Sequence, residues 1–472
     1  MRIVLFDLGN TLVDGYNKVL DGATELLESV GTVRDPDGLP VQLGLVSDYY
    51  WAATEEENDR LHQEYYKILE ATGLAPHFRP FQQRVTLSTA IGVGKPDRRI
   101  FEAALKKLGD EVHFHHALFI TVTEEHVIGA RRLGMMAIHF KGPGQEKGEV
   151  DKLVDLIPII ERLLAYSPCC KKRGEAVGRF KSQAAKSKRQ DRSISTQLAK
   201  VSEQRLRDTI VGLGDFGTRF SYSSGIARVP TWIHNRFVAQ GYTGERAPRY
   251  QPFNMPGGGE VQQRNVLCGP ATNGTGFVLV CAHYDSISEL PDANAPGADD
   301  NASGVAVLLE LAHILRDVEL KRGVMFVAFG GEEQGLYGSS HCAEIAASDQ
   351  WPIDVVINLD MIAYQGVDKP GHIVVEYDQG NRNPKNDAAA KAYGLMMAQA
   401  AADYTSLEVE HTDIWNSDYM PFEEKGYACI GVYEATDNPR YHKTTDTIEN
   451  IEFPHLVEVT KMVLATTMRI GA

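Results

Sequence analysis

The stretch Phe277-Val-Leu-Val-Cys-Ala-His283-Tyr-Asp285-Ser286 decides how the chain is read. An apolar run of strand length ends in a histidine and an aspartate two residues apart, and in extended backbone these side chains fall on the same side. There the carboxylate of Asp285 can hold the imidazole of His283 in the tautomer that a metal ion needs. Downstream, Gly297-Ala-Asp299-Asp300-Asn301-Ala-Ser303-Gly304 sets two adjacent acids in a glycine-bounded loop that opens a helical pattern over 304–315. Another apolar run, 324–329, leads into Gly330-Gly331-Glu332-Glu333. A further run, 355–359, ends in Asn358-Leu359-Asp360, and Arg440-Tyr441-His442 is followed four residues later by Asp446.

Each piece alone reads as a turn, a cap or a surface feature. Together they occur in one order, each after a strand-like run, and that many buried acids at strand ends would repel one another without cations. Imidazole with carboxylate and no thiolate suits zinc. Five ligands with one shared carboxylate would hold two ions about 3.5–4 Å apart, the arrangement of a two-metal hydrolase. One carboxylate of the Glu332-Glu333 pair then binds metal, and its neighbour stays free to take a proton from water.

This ordered set resembles the M28 family of zinc aminopeptidases, nearest the small bacterial leucyl-aminopeptidase type, over roughly residues 195 to 472. The resemblance implies two Zn2+ per chain, with Asp299 as the bridging carboxylate. Glu333 and His442 would complete one site, His283 and Asp360 the other, with Glu332 as general base. Asp285 would stand behind His283, and Asp300 would follow a cis Asp–Asp peptide; Asp418 and Asp446 are further supporting acids. Asp446 reads either as orienting His442 or as a helix cap, and Asp418 as a substrate-amine contact or a cap. Trp415, Tyr419, Met420, Phe422 and Tyr427 read equally as a pocket for an apolar first side chain or as plain core. The implied substrates are peptides with a free N-terminus. Their α-amine, with a pKa near 7.7–8.0, implies a mildly alkaline optimum.

Before residue 165, apolar runs at 3–6, 42–46, 117–120 and 136–140 alternate with helical patterns at 97–108 and 150–164. Phe6-Asp7-Leu-Gly9-Asn10-Thr11 follows the first run. With Ser47, Gly94-Lys95-Pro96-Asp97 and Leu118-Phe-Ile-Thr121 it resembles the haloacid-dehalogenase-like superfamily. In that family Asp7 would be the nucleophile, and Ser47 and Lys95 would hold phosphate. Gly9 stands where its phosphatases carry a second acid, and the apolar Val122 stands where magnesium needs an oxygen; Glu124 or Glu125 would have to reach back. The expected unit is therefore catalytically degenerate, docking a protein partner or mediating oligomerisation. The alternatives are a phosphohydrolase using Asp7 and a binding protein with both sites vestigial.

The fold class is α/β in two domains: a Rossmann-like parallel sheet over 1–165 and a mixed-sheet α/β/α peptidase fold over 195–472. Between them, 166–194 is basic and poor in large apolar residues, a linker or a solvated helix. At 472 residues, two or three domains of roughly 150 are expected. A charge of −15 argues against general nucleic-acid binding. Six scattered cysteines read as reduced thiols. The absence of a signal-peptide pattern and of a spanning apolar run suggests a cytoplasmic protein off the membrane.

Overall fold

The computed structural model describes residues 3–34, 39–109, 114–145, 148–165, 180–182, 184, 191–255, 262–269, 276–380 and 383–472. They form two compact units, Met1–Cys170 and Lys171–Ala472.

The first unit is built on five parallel strands, β1 (Ile3–Phe6), β2 (Gln42–Ser47), β3 (Val85–Leu87), β4 (Ala117–Thr121) and β5 (Met136–His139), in the order β3-β2-β1-β4-β5. Every residue of β1, β3 and β4 is buried. Parallel strands covered on both faces read as continuous apolar runs, so β1 and β4 stand out in the sequence. The short Val85-Thr-Leu87 does not. The helix expected over 150–164 begins at Leu156, after a tight turn at Leu153–Asp155. Pro158 then falls in its first turn, where a missing N–H costs nothing.

The second unit holds a nine-stranded mixed sheet. Its strands are β6 (Phe180–Lys181), β7 (Arg249–Phe253), β8 (Gln263–Cys268), β9 (Phe277–His283), β10 (Gly323–Phe329), β11 (Ile353–Leu359), β12 (His372–Tyr377), β13 (Glu408–Thr412) and β14 (Cys429–Glu434). Their order is β6-β13-β12-β14-β11-β9-β10-β8-β7. The central four, β10, β9, β11 and β14, are mutually parallel, so their carboxyl ends line one edge, where ligands collect in α/β sheets. Register brings His283 level with Phe329. All of the helix Gly304–Leu315 except His313 is buried, which accounts for its apolar surface all round.

Phe180–Lys181, inside the stretch expected to be linker, pairs antiparallel with β13 and forms a sheet edge. Arg192 opens a helix, Arg192–Leu198, capped by Asp191. Most of the remaining linker lies outside the described residues, as do Cys169 and Cys170. Cys268, Cys281, Cys342 and Cys429 are free and buried. No helix among the described residues is long and apolar enough to cross a membrane.

Candidate metal centre

Four strands deliver the C-terminal pattern to the same sheet edge, and the acidic loop Ala298–Ser303 follows β9. His283 closes β9, Asp360 follows β11, Glu332 and Glu333 follow β10, and His442 lies in the loop after β14. Gly331 turns the chain after β10 in the left-handed region, φ +70, which only glycine adopts freely. A Cβ on Gly330 would run into the hydroxyl of Tyr284.

His283, Asp300, Glu332, Glu333, Asp360 and His442 are each at most 6% exposed. His283 Nε2 lies 3.4 Å from Asp300 Oδ1 and 3.4 Å from Asp360 Oδ1. His442 Nε2 lies 3.2 Å from Asp300 Oδ2 and 2.9 Å from Glu333 Oε2. Glu332 Oε2 stands further off, 4.0 Å from His283 Nε2. Two donors on a tetrahedral zinc with bonds of ~2.0–2.1 Å lie roughly 3.3 Å apart, close to the 3.2–3.4 Å separations around Asp300 and Asp360. The donor set thus fits divalent cations in both chemistry and spacing.

The electrostatics agree. Burial, reinforced by Glu333, Asp360 and Asp418, pushes the Glu332 carboxyl well above its ordinary range against the opposing pull of His283. Burial and then Asp300 push Glu333 up. For His283, burial acts to lower the pKa, but Glu332, Asp360 and Asp300 raise it well above the ordinary value. His442 behaves alike, held up at about 10 by Glu333 and Asp300 despite its burial. Carboxylates so crowded stabilise any positive charge in their midst.

One expectation is corrected. Asp300, not Asp299, presents its two oxygens to the two imidazoles. Asp299 is occupied by protein donors: Oδ1 accepts from Ala363 N at 2.9 Å and Oδ2 from Asn438 Nδ2 at 2.9 Å. Burial raises its carboxyl, and burial beside Asp299 pushes Glu434 far up as well. Asp300 and Asn301 leave helical geometry, with φ −103 and ψ 91 at Asp300, and this turns the second side chain away from the first. The cis peptide joins Asp300 to Asn301, one bond later than expected.

The supporting acids also act differently. Asp285 meets the His283 ring mainly through its backbone carbonyl, 3.1 Å from Nδ1, with its carboxylate at 3.7 Å. That carboxylate accepts the N–H groups of Glu332 and Glu333, each at 3.2 Å, and the Ser221 hydroxyl at 3.0 Å. Asp446 accepts from the N–H groups of Asp299 and Asp300 at 3.0 Å, so it clamps the acidic loop rather than orienting His442 or capping the next helix. Asp418 is fully buried. The helix after it, Met420–Glu424, has no side-chain cap, which removes the capping reading. Tyr419, Met420 and Phe422 are wholly buried and belong to the core; Trp415 and Tyr427 are half-buried.

Sequence reasoning missed Ser417 as a partner of Asp360. Its hydroxyl donates to Asp360 Oδ2 at 2.6 Å and accepts from Asn358 Nδ2 at 2.8 Å. Tyr441, whose ring stacks on His442 with centroids 3.7 Å apart, was also missed. Both contacts depend on how separate loops meet; adjacency to quoted motif residues was the only signal available.

In the first unit, Asp7, Ser47 and Lys95 do come together at the carboxyl ends of β1 and β2. Lys95 Nζ lies 2.9 Å from Asp7 Oδ2 and donates to Val46 O at 2.9 Å. Ser47 Oγ donates to Asp7 Oδ1 at 3.3 Å and shares a 2.7 Å hydrogen bond with Tyr65. They line a cleft of about 270 Å³ with Asn10, Asp48 and Tyr49. Val122 is buried beyond β4, whereas Glu124 and Glu125 are exposed.

Comparison with known proteins bears on the second unit. The model of peptidase family M28 matches residues 266–467. The chain is 28% identical over 331 residues to a probable zinc metalloprotease of Pyrenophora tritici-repentis, spanning 59% of this chain and 76% of that protein. It is 32% identical over 196 residues to aminopeptidase YwaD of Bacillus subtilis, 40% of each chain. In fold it is similar to the LapA aminopeptidase of Legionella pneumophila, with a TM-score of 0.52, 18% identity and coverage of 64% of this chain and 80% of that one. The second unit is a zinc metallopeptidase domain. Over residues 266–467 it is similar to peptidase family M28.

Proposed function

We propose that the second unit is a two-zinc aminopeptidase that removes N-terminal residues, apolar ones foremost, from peptides with a free α-amine. The observation that carries this reading is Asp300, whose carboxylate lies between His283 and His442 with Asp360 and Glu333 beside them. Asp300 would be the shared ligand, His283 and Asp360 would complete one site, and Glu333 and His442 the other. When bound, the ions supply an acidified water and a polarised substrate carbonyl.

The chain's own residues supply the proton traffic. Glu332 stands just outside the ring of closest donors, so its carboxylate can take the proton of the attacking water. It returns that proton to the leaving amine nitrogen as the peptide C–N bond breaks. Asp285 keeps Glu332 and Glu333 in place by accepting both of their backbone N–H groups, and Ser417 fixes the rotation of Asp360. The test is hydrolysis of aminoacyl-p-nitroanilides by zinc-loaded protein against Glu332→Ala. Retained zinc with activity lowered by 10²–10⁴ or more supports the role, and unchanged activity removes Glu332 as base.

For the first unit we infer a binding role rather than phosphoryl transfer. The Lys95 ammonium neutralises Asp7 at 2.9 Å, and the apolar side chain of Val122 offers no oxygen for a cation, while its carbonyl accepts from Gln145 Nε2 at 2.9 Å. Release of phosphate from p-nitrophenyl phosphate that disappears in Asp7→Asn would overturn this.

A further inference from the structure

Between the strand that ends in His283 and the loop that carries Asp300 lies a guanidinium cut off from water. Arg219 is 0% exposed. Its Nε donates to Tyr284 O at 2.7 Å, its Nη1 to Pro296 O at 2.5 Å and Leu213 O at 3.5 Å, and its Nη2 to Gly297 O at 2.8 Å. Tyr284 directly follows His283, and Gly297 stands three residues before Asp300. We infer that Arg219 is a positioning residue of the metal centre, its planar fork fixing the spacing between the His283 segment and the Asp300 loop. The inference rests on the reading of that centre given above.

The surroundings fit only a guanidinium. Gly297 has φ +50, and a Cβ there would sit 2.8 Å from Arg219 Nη2 and 2.6 Å from the Ser286 Cβ. The loop thus approaches the fork at a distance glycine alone permits. The backbone of Arg219 is tied to the same place: its N–H donates to Ser286 Oγ at 3.2 Å, its carbonyl accepts from Ser286 N at 3.2 Å, and Ser286 Oγ donates to Ala295 O at 2.7 Å. The hydrogen-bond partners of the guanidinium are carbonyl oxygens, so its charge is not consumed by a carboxylate at contact. Asp446, Asp285, Asp300 and Glu333 act on it from further away and offset part of the burial that draws it down to about 10. A lysine has its donors at one point and cannot span carbonyls on two loops.

The test compares full-length wild type, Arg219→Lys and His442→Ala by titration with Co2+ after chelation, followed by the visible band of the cobalt protein, with kcat and KM on an aminoacyl-p-nitroanilide. The expected result for folded Arg219→Lys is an altered cobalt band and Co2+ affinity weakened about tenfold or more. Its kcat should fall by a similar factor while KM stays near the wild-type value. A variant with lowered melting temperature but wild-type cobalt affinity, band and kcat would have only a structural role, and the inference would be overturned. If Arg219→Lys does not fold, Ser286→Ala loosens the same junction with the guanidinium intact; a shifted cobalt band there supports the inference, and an unchanged one overturns it. Should His442→Ala bind Co2+ as wild type does, the reading of the centre itself fails, and Arg219 falls with it.

Discussion

Replacing Asp299 and Asp300 by asparagine, one at a time, separates two acids that are adjacent in sequence and different in role. Asp299 spends its carboxylate on Ala363 N and Asn438 Nδ2, both at 2.9 Å. Asparagine retains one acceptor oxygen, so about one charge-assisted hydrogen bond is lost, worth ~1.5–3 kcal/mol. At about 2–4 °C per kcal/mol for a unit of this size, Asp299→Asn should melt roughly 3–12 °C lower and keep its zinc. Among the described residues Asp300 accepts no backbone bond of this kind; its oxygens face His283 and His442. Asp300→Asn should therefore fold, lose zinc and lose activity. Several kcal/mol of charge stabilisation, at about 1.4 kcal/mol per tenfold, puts that loss near 10³ or more. Zinc per chain after gel filtration, thermal melts and kcat/KM on leucyl-p-nitroanilide report all three quantities. Zinc lost from Asp299→Asn and retained in Asp300→Asn would refute the assignment.

Other outcomes follow from single contacts. Ser417→Ala removes the 2.6 Å hydrogen bond to Asp360 and should lower zinc affinity or kcat by about 10–100-fold; unchanged values in both would show that Asp360 needs no such support. His455 is buried with no hydrogen-bond partner among the described residues, and burial lowers its pKa to about 4, against about 6.5 when unfolded. The unfolded chain therefore binds the extra proton first, and stability present above about pH 6.5 is lost as pH falls toward 4, on the order of 3 kcal/mol. His455→Phe should flatten that loss in denaturant titrations at neutral and acid pH, and a parallel decline of variant and wild type would contradict it. Chelation by 1,10-phenanthroline should abolish peptidase activity and lower the melting temperature, with both restored by zinc; binding at 100 times Kd contributes about 2.7 kcal/mol, and a melt indifferent to chelator would contradict that linkage.

The edge of the sheet was legible in the sequence because buried parallel strands are uninterrupted apolar runs, and the polar residues that end them mark where chemistry is exposed. His283, Glu332, Glu333 and Asp360 could be found this way, each within a few residues of the end of such a run, whereas His442 lies eight residues beyond β14. The choice between Asp299 and Asp300 could not. In an irregular loop, spacing says nothing about which neighbour turns inward, and the answer lies with Ala363 and Asn438, more than sixty residues away. Asp446 and Ser417 were misread or missed for the same reason, since their partners come from other loops. Strands β7, β13 and β6 escaped because edge and near-edge strands carry charge, as in Glu408-Val-Glu-His-Thr412, and lack an apolar run.

Peptide hydrolysis at this sheet edge requires two divalent ions held around one carboxylate. Anomalous diffraction at the zinc edge from crystals of the zinc-loaded protein tests it most directly. Two peaks about 3.5–4 Å apart, with Asp300 between them, His283 and Asp360 on one and Glu333 and His442 on the other, are the expected result. A single peak, or a pair bridged by Asp299, would contradict it.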